Sequence, residues 1–182
     1  MSFSKLLCAG QWSDASSWEF FLSDELPAAE ICTAASCVGI LEPSGQIVLS
    51  HTFRGWGCMG GHIEPGETVV EAMRREALEE GGMHVERYML LGYRKVTNSS
   101  PVISKQTGKP YPAVSYVPWF VALTSQPLVA TAGDEGEVFE SAVFSVAEAR
   151  TLQPAEWPLI EAGLALYNAN RGDFTAPEFR AL

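Results

Sequence analysis

Basic residues are scarce in this chain of 182 residues. It has 12 lysines and arginines against 22 aspartates and glutamates, which gives a formal charge of −10 at pH 7. A protein that binds nucleic-acid backbones needs a basic surface. The composition therefore argues against a nucleic-acid polymer as partner. A small phosphorylated ligand stays compatible, if a metal ion and a few local basic side chains neutralise its charge.

Cysteine is also rare, and long apolar runs are missing. Cys8, Cys32, Cys37 and Cys58 form no CxxC pair, so we expect reduced thiols in the cytoplasm and neither a zinc site nor a redox motif. No apolar run approaches the roughly 20 residues of a membrane-spanning helix, and we find no apolar core of a signal peptide. The sequence therefore predicts no membrane partner.

The most informative stretch reads GGHIEPGETVVEAMRREALEEGGM at residues 60–83. Thr68 and Glu71 have the spacing of a capping box, which predicts that a helix begins just after Thr68. Gly82 offers a left-handed cap at the other end. These signals predict a helix over residues 69–80.

One face of this predicted helix is acidic. Glu76, Glu79 and Glu80 lie within an arc of about 100°, and carboxylates at these spacings repel one another. One interpretation is a solvated face on which Arg74 and Arg75 compensate the charge. The other interpretation is that a cation binds among the three carboxylates.

A glycine pair and one more carboxylate precede the helix at fixed positions. Gly60 and Gly61 have no Cβ, so the main chain can turn tightly and approach a ligand closely, and a carbonyl oxygen there can contact a metal. Glu67 follows them. A solvated helix face explains none of these positions, whereas Mg²⁺ binds carboxylates, water and phosphate oxygens. We therefore predict a magnesium site, in which Mn²⁺ can substitute.

With Gly61, Glu67 and the run at residues 75–83, this stretch resembles the Nudix box, the signature of the Nudix hydrolases. Every charged and glycine position of the box is filled. Ala77 stands where the family generally has a larger aliphatic residue, and Met59 stands where a proline often precedes the glycine pair. Both departures concern packing or loop stiffness. The resemblance implies a Nudix-type α/β/α sandwich with a mixed β-sheet.

The resemblance also implies an activity, the hydrolysis of a diphosphate linkage in a nucleoside diphosphate derivative. Mg²⁺ would be held by Glu76, Glu79, Glu80 and the Gly60 carbonyl, and it would screen phosphate charge and acidify the attacking water. Arg75 would orient Glu76. Glu67 would brace Arg75, and we also include Glu67 among the substrate-binding residues. The identity of the general base stays open among three acidic residues: Glu135, Glu137, which we include in the catalytic set, and Glu140.

Substrate specificity must come from residues outside the box. Residues 54–57 are predicted to form a mobile loop that leads to the glycine pair, so Arg54 and Trp56 are expected to contact the substrate. Trp56, flanked by glycines, is the best base-stacking residue. Residues 98–112 are either a substrate lid or a surface loop. Other aromatic, basic and histidine residues that we consider are Phe53, Tyr111, Tyr116, Trp119, Lys95, Lys105, Lys109, His51 and His62, although core positions or structural hydrogen bonds account for most of them.

Two other functions remain open. The first is an isopentenyl-diphosphate-type isomerase, which in the resembling family uses a cysteine and a histidine-rich metal site that this sequence does not reveal. The second is a non-catalytic nucleotide-binding module, which would tolerate the loss of box glutamates. No box glutamate is lost here. The hydrolase substrate is not defined among nucleoside triphosphates, damaged nucleotides, nucleotide sugars and dinucleoside polyphosphates.

Three segments describe the predicted organisation of the chain. Residues 1–30 are an aromatic N-terminal extension that packs on the domain, with a homodimer contact as the second interpretation. Residues 31–153 form the Nudix domain. Residues 154–182 form a C-terminal helix, beginning near Pro158, and a tail.

Pro118 implies that its strand is at an edge or beside a bulge. The predicted strands and the remaining helix are 31–41, 47–53, 58–59, 85–97, 113–123, Val138–Phe144 and the helix Val146–Leu152.

Overall fold

A mixed β-sheet with helices on both faces forms the centre of the protein in the computed structural model, which describes residues 3–104, 108, 110–129 and 138–171. The sandwich predicted above is confirmed. The strands of the described part are β1 (Ser4–Gln11), β2 (Ser17–Ser23), β3 (Ala34–Leu41), β4 (Gln46–Thr52), β5 (Gly55–Gly57), β6 (Met59–His62), β7 (Arg87–Thr97), β8 (Val114–Thr124) and β9 (Val138–Phe144). The helices are α1 (Val69–Gly81), α2 (Val146–Leu152) and α3 (Trp157–Ala169), and a 3-10 turn covers Ala29–Ile31.

The sheet follows the order β1-β2-β7-β8-β3-β4-β5, with β6 paired to β3 and β9 paired to β4. Strand β3 runs parallel to β8 and antiparallel to both β4 and β6. The first half of β3 pairs with β6 and its second half pairs with β4. The pairing therefore places the glycine pair of β6 directly beside the start of β3.

Side chains of β3 alternate between two buried faces. Val38 and Ile40 join a cluster that also contains residues of α2 and α3, and Ala35 and Cys37 join a second cluster with residues of α1. Successive side chains of a strand point to opposite faces, so an apolar run of this kind fits a strand that is covered on both sides. Helix α1 is thereby packed on one face, and α2 and α3 on the other.

The capping box predicted at Thr68 and Glu71 is confirmed. Thr68 accepts a hydrogen bond from the Glu71 main chain, and the Glu71 side chain accepts one from the Thr68 N–H. Gly82 ends α1 with φ of 60°, in the left-handed region. Helix α2 begins in the same manner with Ser145 and Glu148. Local sequence signals therefore define both ends of the acidic helix and the start of α2.

Three predicted elements differ in the structure. The N-terminal residues are more than an aromatic lead-in, since they form β1 and β2, and β2 pairs with β7 in the central sheet. Residues 54–57 are not simply a loop, because Gly55–Gly57 pairs with β4 as β5. The strand predicted at residues 58–59 extends to His62 and contains the glycine pair, so these glycines are extended and do not form a turn.

The strand that contains Pro118 lies inside the sheet, between β7 and β3. Its predicted edge position is therefore wrong. The register with β7 shifts between Leu90 and Gly92, one pair away from Pro118, so the alternative of a nearby bulge is correct. None of the described helices combines the length and apolar character needed to cross a membrane.

Candidate active site

The glycine pair in β6 leaves room for the chain and the carboxylates around it. A Cβ on Gly60 would lie 2.2 Å from Ser36 Oγ and 2.7 Å from the Ala35 carbonyl oxygen. A Cβ on Gly61 would lie 2.2 Å from Glu76 Oε1. Real Cβ atoms do not approach other atoms this closely, because packed atoms repel at these distances. Both positions therefore need glycine for close approach within a strand.

Arg75 holds three carboxylates together. Its Nε donates to Glu67 Oε1 at 2.7 Å, and its Nη2 donates to Glu67 Oε2 at 3.1 Å. Its Nη1 donates to Glu76 Oε1 at 2.8 Å and to Glu79 Oε2 at 2.9 Å. The fork geometry of arginine suits this role, since it provides several donors in one plane. The structure thus brings together the predicted Glu67, Arg75, Glu76 and Glu79.

Glu80 is bound to the main chain of the neighbouring strand. The Gly60 N–H donates to Glu80 Oε2 at 2.8 Å. The Nη2 of Arg75 also donates to the His62 carbonyl oxygen at 2.8 Å. Helix α1 is therefore tied to both ends of β6 through polar groups. The acidic face of the helix is directed at the glycine pair.

If the acidic helix face were merely solvated, Arg74 and Arg75 would compensate its carboxylates. This compensation is only partly present. Arg75 does pair with Glu79, but the Glu71 carboxylate accepts from the Thr68 N–H at the start of the helix. The Arg74 guanidinium carbon lies 5.3 Å from the ring centroid of Tyr88. Three carboxylates thus share the guanidinium of Arg75, and the group carries excess negative charge.

Burial and ion pairing act differently on these carboxylates. Burial raises the pKa of Glu76, whose side chain is 12% exposed, and the hydrogen bond from Arg75 opposes this effect. The hydrogen bonds from Arg75 lower the pKa of Glu67. The same bonds, first those to Glu67, raise the pKa of Arg75, so the guanidinium stays charged. A cation bound beside Glu76 would favour its charged form and so oppose the effect of burial.

The donor set fits a hard divalent cation. Glu76, Glu79 and Glu80 offer carboxylate oxygens from one helix face, the ligand chemistry that Mg²⁺ prefers. Within residues 3–104, 108, 110–129 and 138–171, no three acidic, histidine or cysteine side chains converge into a preformed metal cluster. Arg75 and the Gly60 N–H each hold oxygens of this set. A cation would draw the three side chains closer together.

Trp56 lies on the sheet face covered by α2 and α3. Its ring centroid is 4.9 Å from that of His51 and 4.7 Å from that of Phe144, and the ring packs against the apolar cluster of that face. Its carbonyl oxygen accepts from Gln153 Nε2 at 2.6 Å. Trp56 is thus a partly buried strand residue, and its contact with substrate stays a prediction.

The other residues considered for substrate contact are dispersed. Arg54 lies over the exposed ring of Phe53, and Lys95 pairs with Glu19 at 3.2 Å. Trp119 belongs to the core. Glu140 is exposed on β9. Four predicted residues lie outside the described part of the chain, namely Lys105, Lys109, Glu135 and Glu137.

A ring contact beside the glycine pair was missed by the sequence analysis. The rings of His62 and Tyr111 are parallel within 4°, and their centroids are 5.7 Å apart. Tyr111 belongs to the segment 98–112, which was considered as a lid, and its N–H donates to the Val102 carbonyl oxygen at 2.8 Å. This contact joins the segment to the end of β6. The two residues are far apart in sequence, so no local pattern predicts it.

Residues 31–163 match the family model of the NUDIX domain. The human 8-oxo-dGDP phosphatase NUDT18 is 34% identical over 92 residues, which cover 46% of this chain. The chain spans only 28% of the length of that relative.

Two solved structures share the fold. The pyrophosphohydrolase BsRppH of Bacillus subtilis is 17% identical, with 92% of this chain and 99% of that chain covered, at a TM-score of 0.62. The NUDIX domain of Shewanella oneidensis NrtR, solved in complex with ADP ribose, is 14% identical, with coverages of 78% and 90% and a TM-score of 0.53. At these identities the likeness concerns the fold alone.

Proposed function

Because this chain belongs to the NUDIX family, we propose that it hydrolyses a diphosphate linkage in a nucleoside diphosphate derivative, with Mg²⁺ as cofactor. Nucleoside triphosphates and damaged nucleotides are the first substrates to consider. The human relative is named for its action on 8-oxo-dGDP, which puts an oxidised guanine nucleotide among them. Nucleotide sugars and dinucleoside polyphosphates are the next substrates to consider.

The observation that carries this proposal is the network around Arg75. Its guanidinium binds Glu67, Glu76 and Glu79 within 3.1 Å, at the strand that contains the glycine pair. Three carboxylates around one guanidinium leave negative charge that a divalent cation would neutralise. A helix face that served only solubility would not need Gly61 to make room for Glu76.

The residues of the site have distinct tasks in this mechanism. When bound, Mg²⁺ would screen the phosphate oxygens and lower the pKa of an attacking water. Glu76, Glu79, Glu80 and the Gly60 carbonyl would hold the ion. Arg75 positions Glu76 and Glu79, and Glu67 in turn fixes the plane of the guanidinium. The proton acceptor is proposed among Glu137, Glu135 and Glu140.

The proposal is tested by incubating the protein with a panel of nucleotides and resolving the products. The panel contains nucleoside triphosphates, 8-oxo-dGDP, a dinucleoside polyphosphate, a nucleotide sugar and ADP ribose, each with Mg²⁺, with Mn²⁺ and with chelator. We expect metal-dependent release of a nucleoside monophosphate from at least one of them. Tight binding without turnover across the panel would identify a binding module instead.

The isomerase alternative receives no support from the cysteines. Burial raises the pKa of Cys32 to about 11, and burial also raises the pKa of the Cys58 and Cys37 thiols. Such thiols are poor proton donors or nucleophiles at neutral pH. All four cysteines are unpaired, so the cytoplasm stays the location that we propose.

A further inference from the structure

The chain between β5 and β6 is bound by two side chains from the sheet face opposite α1. Gln153, at the end of α2, donates from Nε2 to the Trp56 carbonyl oxygen at 2.6 Å. Glu156, the residue before α3, accepts from the Cys58 N–H through Oε2 at 3.1 Å. A Cβ on Gly57 would lie 3.6 Å from Gln153 Nε2 and 3.8 Å from Glu156 Oε2. The corner between α2 and α3 therefore holds this short segment from both sides of Gly57.

This segment is where the chain changes its partner strand. β5 pairs with β4 and β6 pairs with β3, and Cys58 belongs to neither strand. A partly buried N–H outside a strand needs another acceptor, and Glu156 supplies it. A residue just before a helix often accepts from the first turn with its side chain, but Glu156 makes no such bond. Its carboxylate is bound to the strand segment instead of capping α3.

β6 is short and has little side-chain anchoring of its own. Two of its four residues are glycines, Met59 is fully buried and His62 is exposed. Pairing with β3 sets its register. Its two ends are bound from opposite faces of the sheet, since the His62 carbonyl oxygen accepts from Arg75 of α1 at 2.8 Å and Cys58 donates to Glu156. The position of the glycine pair thus depends on groups on both faces.

The glycine that contacts the acidic helix lies two residues after Cys58. Its N–H, on Gly60, donates to Glu80 Oε2 at 2.8 Å. An extended chain rises about 3.3 Å per residue, so the N–H groups of Cys58 and Gly60 are roughly 7 Å apart. Met59, between them, is fully buried, and close-packed interiors transmit strain. A displacement of Cys58 would therefore move the group that binds Glu80.

We propose that Gln153 and Glu156 are positioning residues for the metal site. They hold the chain just before β6 and thereby place Gly60, whose N–H binds Glu80. This inference rests on the proposed function, because it adds two residues that act on the same site through the main chain. Removing a group that orients a metal ligand typically weakens metal binding by about 10- to 100-fold.

The first test is Glu156→Ala, which removes the acceptor of the Cys58 N–H. The Gly60 amide is followed by NMR in metal-free protein, and Mn²⁺ affinity is measured by electron paramagnetic resonance, so neither readout needs turnover. We expect the Gly60 amide signal to shift and to lose protection from hydrogen exchange. Mn²⁺ should bind about tenfold more weakly. The inference is overturned if either quantity stays unchanged.

Glu156→Gln is the conservative variant. Its side-chain oxygen can still accept from Cys58, although the ion pair between Glu156 and Arg94, at 3.8 Å, is lost. We expect it to keep the Gly60 amide signal and the Mn²⁺ affinity. A loss as large as that in Glu156→Ala would mean that the charge beside Arg94 matters and the bond to the strand does not, which contradicts the proposal.

Gln153→Met tests the other contact and decides the question if Glu156→Ala does not fold. It keeps the length of the side chain and removes the amide that donates to Trp56. We expect changes in the Gly60 amide and in Mn²⁺ affinity of the same kind as in Glu156→Ala. Unchanged values in this variant would speak against the positioning role.

Glu148→Ala is the matched control for a merely structural loss. Glu148 completes the capping box at the start of α2 with Ser145, so its removal loosens the same helix without removing a bond to the strand. We expect a lower melting temperature, with the Gly60 amide and the Mn²⁺ affinity unchanged. If this variant loses as much Mn²⁺ affinity as Glu156→Ala, general stability explains the effect and the inference is wrong.

Failure of this inference differs from failure of the proposed function. If Glu156→Ala changes both quantities but the unmodified protein hydrolyses no nucleotide, the hydrolase proposal is wrong and the positioning role stands. If nucleotides are hydrolysed and Glu156→Ala keeps its Mn²⁺ affinity, the positioning role is wrong and the hydrolase stands. An unmodified protein that binds no Mn²⁺ would contradict both.

Discussion

Gly61 and Glu76 occupy adjoining space, since a Cβ on Gly61 would lie 2.2 Å from Oε1 of Glu76. The same oxygen accepts from Nη1 of Arg75 at 2.8 Å. A side chain in β6 would therefore displace the carboxylate from Arg75. The position of the carboxylate depends on the glycine as much as on the helix that carries it.

We predict that Gly61→Ala lowers kcat by about 100-fold, because misplacement of a catalytic group by about 1 Å has effects of this size. The folded protein should lose only about 1–3 kcal/mol of unfolding free energy, the usual effect of one added methyl group. Steady-state kinetics and chemical denaturation of the same sample measure the two effects.

The control is a double-mutant cycle with Glu76→Ala, which removes the atoms that a new Cβ would meet. In the Glu76→Ala background, Gly61→Ala should leave stability nearly unchanged. If Gly61→Ala destabilises both backgrounds equally, the close contact with Glu76 is not the reason for the glycine.

Glu79→Gln and Glu80→Gln are predicted to weaken Mg²⁺ or Mn²⁺ binding and to lower turnover by orders of magnitude while the fold persists. Each removes one of three carboxylate ligands without changing side-chain size. Metal titration measures binding, and steady-state kinetics measures turnover. Glu161→Gln, the same change at an exposed position on α3, is the control and should alter neither. Unchanged activity in both variants would remove the metal assignment.

Glu67 is predicted to make stability depend on pH through its pairing with Arg75. The hydrogen bonds from Arg75 hold the pKa of Glu67 below its ordinary value of 4.5. The folded state thus binds its proton more weakly than the unfolded state does. The stabilisation is complete above pH 4.5 and disappears as pH falls through the lower folded-state pKa.

Glu67→Gln should therefore be less stable than the unmodified protein at neutral pH, by about 1 kcal/mol. The difference should shrink as the pH falls past 4.5. Denaturation at a series of pH values, with chelator present, measures it. A difference that stays constant with pH would show that the charge of Glu67 is not responsible.

Trp56→Ala is predicted to lower the unfolding free energy by about 2–4 kcal/mol, because the ring packs against His51 and Phe144. Trp56→Phe, which keeps an aromatic ring, should lose less. A nucleotide titration on the same variants tests the remaining proposal that Trp56 also contacts the base. A lowered melting temperature with unaltered affinity would remove Trp56 from the substrate site.

Local signals in the sequence predicted the acidic helix well. The capping box at Thr68 and the glycine cap at Gly82 act within one turn of the helix, so they are visible without tertiary structure. The grouping of Glu67, Arg75 and Glu76 was also predictable through the resemblance, since the spacing of the box is fixed.

Contacts between distant strands were not predictable in the same way. β5 was interpreted as a loop because its Gly-Trp-Gly sequence has little strand propensity, and its pairing with β4 overrides that propensity. Pro118 was assigned to an edge, whereas β8 is internal. Arg94 of β7 and Glu156, the residue before α3, are 62 residues apart in sequence, and they approach to 3.8 Å only because α3 packs on the sheet.

The attachment of β1 and β2 to the sheet also affects how the protein behaves in concentrated solution. The family match covers residues 31–163, and a truncation to these bounds would leave β7, 11 residues long, without its partner β2. A long bare strand edge templates pairing with other chains. On that side of the sheet, the outermost strand among the described residues is β1. It carries Lys5 and has a register shift between Leu6 and Cys8, features that discourage such pairing. We therefore expect a chain truncated to residues 31–163 to aggregate more readily than residues 1–182.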